Sequence, residues 1–184
     1  MNQELSLDEK EKNLDRFFYN MNLQKAADKY DIKLLNKELL ILAGVVRDKS
    51  KFEEISEPLR LEYLLALLIG KKYGTAGLVS NIIYNEEGEP LHFAPSGKCD
   101  IVYHHTDGSF IFEPTMQRGK NQILNNETSN VARHVKEQTQ ETGIKYRAMM
   151  IAPYVHPDVA DFFRYKISQL KVNIAPININ RMVG

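Results

Sequence analysis

The sequence predicts an α/β domain, a mixed β-sheet flanked by helices, behind an N-terminal helical segment. Three observations carry this expectation. Residues from about 1 to 50 place apolar side chains at three- and four-residue spacings without strand alternation. From residue 56 the pattern runs helix, three strands, helix, strand, helix, strand. At its centre "SGKCDIVYHHTDGSFIFEPT", residues 96–115, reads as two short strands about an Asp107-Gly108 turn. The expected division is a helical segment over 1–52 and an α/β domain over 53–184.

Taken in order, "LDRFFYNMNLQKAADKY" and "KLLNKELLILAGVV" have helical spacing, and the charged "RDKSKFEE" reads as a hinge. A helix then starts at Ser56, whose hydroxyl can cap it, with Glu57 and Pro58 in its first turn, where a missing N–H costs little. "EPLRLEYLLALLIG" is apolar enough to be buried on most sides, and Gly70 with "KKYG" ends it. "LVSNIIYN" is a strand and "EEGEP" a turn. After the hairpin, "NETSNVARHVKEQTQETG" is an amphipathic helix that starts near Thr128 or Ser129 and stops at Gly143. "YRAMMIAP" is a strand of the kind buried on both faces, "HPDVADFFRYKISQL" a helix and "VNIAPINI" the last strand.

Composition narrows the class. The 184 residues are 43% hydrophobic and 26% charged, ordinary for a folded globular chain. Lys+Arg and Asp+Glu are 24 each, so no long-range field drives binding to a polyanion; if DNA or RNA is the substrate, a local patch or a partner supplies the attraction. One cysteine, Cys99, excludes an intrachain disulfide framework. No apolar run reaches the roughly 18 residues of a membrane span, and the polar start is unlike a signal peptide, so a cytoplasmic protein with no membrane contact is expected.

The hairpin carries the chemistry. With Asp107-Gly108 as the two turn residues, Thr106 faces Ser109, Val102 faces Glu113 and Asp100 faces Thr115. Asp100 and Glu113 are then diagonal neighbours on one face, roughly 7–8 Å apart along the backbone. Two carboxylates that converge between apolar strands are unfavourable unless a cation or a shared proton compensates, and oxygen donors favour Mg²⁺ or Mn²⁺ over Zn²⁺.

An acid opening one strand, a hairpin, then an acid two residues before a third polar position resembles the PD-(D/E)xK nuclease signature. Here the members are Asp100 and Glu113-Pro114-Thr115. Together with "EGEPLHFAPSGKCDIVYHHTDGSFIFEPTMQRGKNQ", "ARHVKE", "MMIAP" and "IAPINI", residues 56–180 look like the cleavage domain of AlwI-like type IIS restriction endonucleases, including small cleavage subunits and nicking relatives. The wider family usually has Lys where this chain has Thr115; the AlwI-like branch is similar in lacking it and in placing a glutamine further on, here Gln122.

The resemblance implies a restriction-endonuclease-like sheet and Mg²⁺-dependent hydrolysis of one strand of double-stranded DNA per site. Asp100, Glu113, Glu62 and the Pro114 carbonyl are the implied metal ligands, Thr115 and Gln122 further catalytic residues, and Arg118, Lys120, Arg133 and His134 phosphate contacts. Recognition is expected from a large subunit or a missing domain, and a double-strand break from a partner subunit or a transient homodimer. Two other readings share the fold: a degenerate docking or DNA-contact module, and a nuclease acting in repair or on RNA.

Other motifs carry less. His92, Cys99, His104 and His105 lack structural-zinc spacing, and alternation turns Cys99 away from Asp100. The mixed charge of "LQKAADKYDIKLLNKELLILAG" favours a helical packing or docking unit over a DNA-reading helix-turn-helix.

Overall fold

The computed structural model describes residues 7–93, 98–170 and 172–183. Three helices lead the chain: α1 (Leu7–Lys29), α2 (Ile32–Leu42) and α3 (Glu57–Tyr73). Strands β1 (Leu78–Ser80), β2 (Ile82–Tyr84), β3 (Pro90–Phe93), β4 (Ile101–His105) and β5 (Gly108–Pro114) follow. The helical turn α4 (Lys120–Gln122), a π-helical segment (Ile123–Glu127) and α5 (Thr128–Thr142) then run on without a break. Strand β6 (Tyr146–Ala152), helix α6 (Pro157–Leu170) and strand β7 (Asn173–Asn178) complete the order.

The main sheet has five strands in the order β1-β4-β5-β6-β7. Strands β1, β4 and β5 pair antiparallel, whereas β5-β6 and β6-β7 pair parallel, because helices α4–α5 and α6 make the crossovers that parallel strands require. The mixed sheet flanked by helices is therefore present as expected.

Each sheet face has its own core. Leu23, Leu35, Leu39 and the Leu61–Ile69 run of α3 pack with Ile101, Tyr103, Phe112 and Ile151. On the other face, Val131, Ala132 and Val135 of α5 and Val159 and Phe163 of α6 cover Ile111, Ala148, Met150 and Ile174. Every residue from Leu59 to Gly70 is buried, which accounts for the nearly unbroken apolar sequence of α3.

Several local expectations differ. The hairpin register pairs His105 with Gly108 and His104 with Ser109, so Thr106-Asp107 forms the turn and Gly108 opens β5 with φ +140°. A glycine after Asp also suits the fourth position of a type I turn, and that position rather than a central one is realised. "LVSNIIYN" is divided between two sheets: β1 joins the main sheet, while β2 pairs with β3 in a separate ribbon. Helix α5 starts at Thr128 and stops at Gly143 as expected, but a helical turn from Lys120 and a π-helical segment, anchored by the buried Ile123, lead into it.

Helix α3 continues past Gly70 to Tyr73, and Ser56 takes its N-cap position without a side-chain capping bond. The charged stretch read as a hinge is pinned at its centre. Phe52 is buried edge-on between Tyr30 and Tyr63, and Glu38 accepts hydrogen bonds from Ser50 Oγ (2.5 Å) and Lys51 N (2.9 Å).

Helix α1 lies along the β2–β3 ribbon at backbone contact. At Gly88, in the ribbon's turn, a Cβ would stand 2.3 Å from the Asn22 carbonyl oxygen, and the residue has φ +78°. Only glycine admits both.

Candidate active site

The corrected register brings the two hairpin acids closer than the sequence implied. Ile101 opposes Phe112, so one step further Asp100 opposes Glu113 directly instead of diagonally. Directly opposed residues lie about 5 Å apart at Cβ, where two ionised carboxylates repel by about 3 kcal/mol at an effective dielectric of about 20.

Asp100 responds as this predicts. Burial, then the charge of Glu113, then that of Glu62, push its carboxyl up to about 9. Glu62, near the start of α3, is raised to about 8, mainly by burial, while a hydrogen bond from the Asn81 N–H acts the other way and Glu113 adds to the rise. The Asn81 N–H links the two residues, donating to the Asp100 carbonyl oxygen at 2.6 Å and to Glu62 Oε1 at 3.1 Å.

Glu113 is 5% exposed and meets an imidazole carried by α5. His134 Nδ1 of α5 lies 3.1 Å from Glu113 Oε2 and 3.3 Å from Oε1. That hydrogen bond raises the imidazole pKa against the opposing effect of burial. Arg133 Nη2 stands 3.3 Å from His134 Nε2, and Arg133 also pairs with Glu137 at 3.4 Å.

Glu127, absent from the sequence reasoning, joins this group. Its carboxyl is raised by burial; hydrogen bonding to Thr115 counters the rise, Glu113 adds to it and His134 lowers it. It was hidden because the helix seemed to begin one residue later. The usable signal was spacing: Glu127 and His134 are seven residues apart, two turns along one helix face.

Thr115 is nearly buried, and its hydroxyl accepts the Gln117 N–H at 3.2 Å. Pro114, Thr115, Gln117, Arg118, Gln122 and Glu127 line an open cleft of about 540 Å³, so Gln122 and Thr115 face a common space. Arg118 is engaged elsewhere, donating to the carbonyls of Leu42 (2.7 Å) and Ala43 (3.3 Å) at the end of α2. Lys120 pairs with Asp158.

Cys99 precedes β4, so strand alternation does not turn it away from the acids. Its thiol is pushed far up by burial and by Glu113, which leaves it unreactive as a nucleophile.

Among the described residues, no three His, Cys, Asp or Glu side chains form a set placed to hold a metal ion. What the site offers a hard cation is the opposed, buried Asp100–Glu113 pair, with carbonyl oxygen and water to complete the shell; a divalent ion would offset the burial and the neighbouring charge that raise the Asp100 carboxyl. The donor chemistry fits Mg²⁺ or Mn²⁺, and Glu62 adjoins the pair.

The fold is shared with the small subunit of the heterodimeric restriction endonuclease R.BspD6I, at 20% identity and a TM-score of 0.60, over 77% of this chain and 71% of that one. No curated protein matches the chain. The AlwI restriction endonuclease family matches residues 8–184, and the chain belongs to that family.

Proposed function

We propose that this protein is a Mg²⁺-dependent endodeoxyribonuclease that cleaves one strand of double-stranded DNA per active site, as the cleavage subunit or domain of a type IIS restriction enzyme. The observation that carries this is the buried, directly opposed Asp100–Glu113 pair in a chain of a restriction endonuclease family. Balanced charge, 24 basic against 24 acidic residues, supports a division of labour in which a large partner subunit or a further domain supplies recognition and most of the DNA attraction. The likeness to a small subunit of a heterodimer points the same way.

Asp100 and Glu113 would hold the ion, with the Pro114 carbonyl and Glu62 beside them. Bound there, Mg²⁺ would lower the pKa of a water and offset charge building on the scissile phosphate. His134 orients Glu113, and Thr115 orients Glu127 at the cleft. Gln122 is free to meet the phosphate in that cleft, and the exposed Arg133 and Lys120 flank the approach of the backbone.

One observation favours a second reading. Thr115 stands where the nuclease signature usually has lysine, and a fold without that charge also serves as a DNA-contact or docking module. A plasmid cleavage assay with Mg²⁺, with and without a large recognition subunit, separates the two. Nicking that disappears in Asp100→Ala and Glu113→Ala supports the nuclease; equal activity in wild type and both variants would sink the metal-site assignment.

A further inference from the structure

We propose that Tyr19 and Tyr84 are positioning residues for the acidic site, fixing the Ser80–Asn81 backbone where the Asn81 N–H binds both Asp100 and Glu62. The consequence for cleavage rests on the nuclease reading above; the positioning itself does not.

Ser80 and Asn81 lie where the chain leaves the main sheet at the end of β1 and enters the ribbon at β2. A strand that changes sheets must find new partners for its buried polar groups. At Ser80, Tyr19 supplies them. The Tyr19 phenol oxygen accepts the Ser80 N–H at 2.7 Å, and its hydroxyl donates to the Ser80 carbonyl at 3.1 Å, so one side chain serves both backbone groups as a neighbouring strand would.

The Ser80 hydroxyl closes the cluster, 2.8 Å from the Tyr19 hydroxyl and 2.6 Å from that of Tyr84. The next residue faces the other way, where its N–H reaches Asp100 and Glu62 at 2.6 and 3.1 Å. One peptide thus separates the phenols from the acids.

The phenols suit a fixed clamp. Burial raises both their pKa values, so they remain neutral donors. Their rings meet edge to face at 5.3 Å. Tyr19 is carried by α1, 61 residues before Ser80, and α1 is itself seated by its contact with Gly88 and by Lys29 Nζ on the Glu87 carbonyl at 2.7 Å. The N-terminal helix therefore reaches the site as a support.

The test uses the full chain as Tyr19→Phe, Tyr84→Phe and Ser80→Ala, followed by ¹⁵N NMR with amide hydrogen exchange. In Tyr19→Phe the Ser80 and Asn81 amides should shift and exchange at least about tenfold faster, while amides of α5 and β6 keep their rates. Unchanged Asn81 exchange in that variant would overturn the proposal. Ser80→Ala keeps the Ser80 N–H bond to Tyr19 and removes the contact with Tyr84, so Asn81 exchange should rise by about threefold, as in Tyr84→Phe; a rise as large as in Tyr19→Phe would overturn the role of the Tyr19 hydroxyl.

If Tyr19→Phe does not fold, Tyr84→Phe, which removes the 2.6 Å contact with Ser80 and leaves the Tyr19 bonds to the Ser80 backbone in place, should speed Asn81 exchange by about threefold, and unchanged exchange there would overturn the proposal. In DNA cleavage, Tyr19→Phe should lower kcat by about tenfold at constant KM. A wild-type chain that never cleaves DNA refutes the nuclease reading and leaves the amide result standing.

Discussion

His134 Nδ1 lies 3.1 Å from Glu113 Oε2, and this contact joins helix α5 to the acid at the end of β5. Because the imidazole pKa is raised in the folded chain, the contact's stabilisation is complete below the ordinary histidine range and fades as pH rises through the folded value. The side chain is mostly buried, so His134→Ala should cost about 1–3 kcal/mol at pH 6 and less at pH 9, read by urea denaturation. Cleavage should fall by about 10–100-fold, and His134→Gln, which can still donate to Glu113, should recover part of both losses.

The acids set a second pH dependence. Asp100 and Glu62 have folded values of about 9 and about 8, against ordinary values of 3.8 and 4.5. Between those limits the folded chain holds more protons than the unfolded one, so metal-free stability declines as pH rises. Thermal unfolding without metal should therefore show Tm falling from pH 5 to pH 9. Mg²⁺ competes with those protons, so its stabilisation should grow over the same range. Asp100→Asn should flatten the metal-free profile and lower Mg²⁺-dependent cleavage by at least about 100-fold. A Tm that rises steadily from pH 5 to 9 in the absence of metal would contradict this account.

Arg118 separates a structural role from a DNA-contacting one. Its guanidinium donates to two carbonyls at the C-terminus of α2, where a cation also complements the helix dipole. Arg118→Ala should lower stability by about 1–2 kcal/mol while KM for DNA changes little. A several-fold rise in KM with stability intact would instead assign the residue to phosphate.

The sequence showed the features that depend on periodicity and strong local signals: the buried α3, the strands at 101–105, 108–114 and 146–152, and the placement of Asp100 and Glu113 on one hairpin. It missed features decided by tertiary packing. A one-position change in where the Asp-Gly pair sits in the turn shifted the register by two residues and moved Asp100 from opposite Thr115 to opposite Glu113, without moving either acid to the other face. The π-helical segment hid Glu127, since the two asparagines of "ILNNE" weaken its helix propensity and the segment is held by the burial of Ile123. The inward turn of His134 and the diversion of Arg118 to α2 depend on contacts 21 and 76 residues distant, beyond any local pattern.

Thr115 offers the sharpest remaining test of how the site works without the usual lysine. Its hydroxyl accepts the Gln117 N–H and holds Glu127, so it fixes the loop that forms the cleft as well as one acid within it. Thr115→Val keeps the shape and removes both bonds, which should cost about 1–2 kcal/mol and raise the Glu127 pKa further. Protonated Glu127 contributes less negative charge, so an activity loss from this source should diminish at higher pH. Thr115→Ser keeps the hydroxyl and should stay within about threefold of wild type. Thr115→Lys brings an ammonium beside Glu127 and Glu113 but must bury a long chain where threonine is 9% exposed, so stability should fall. If cleavage in Thr115→Lys nevertheless rises, charge is what the natural site lacks; if Thr115→Val alone loses activity and Thr115→Lys does not restore it, the hydroxyl's hold on Glu127 is the working feature.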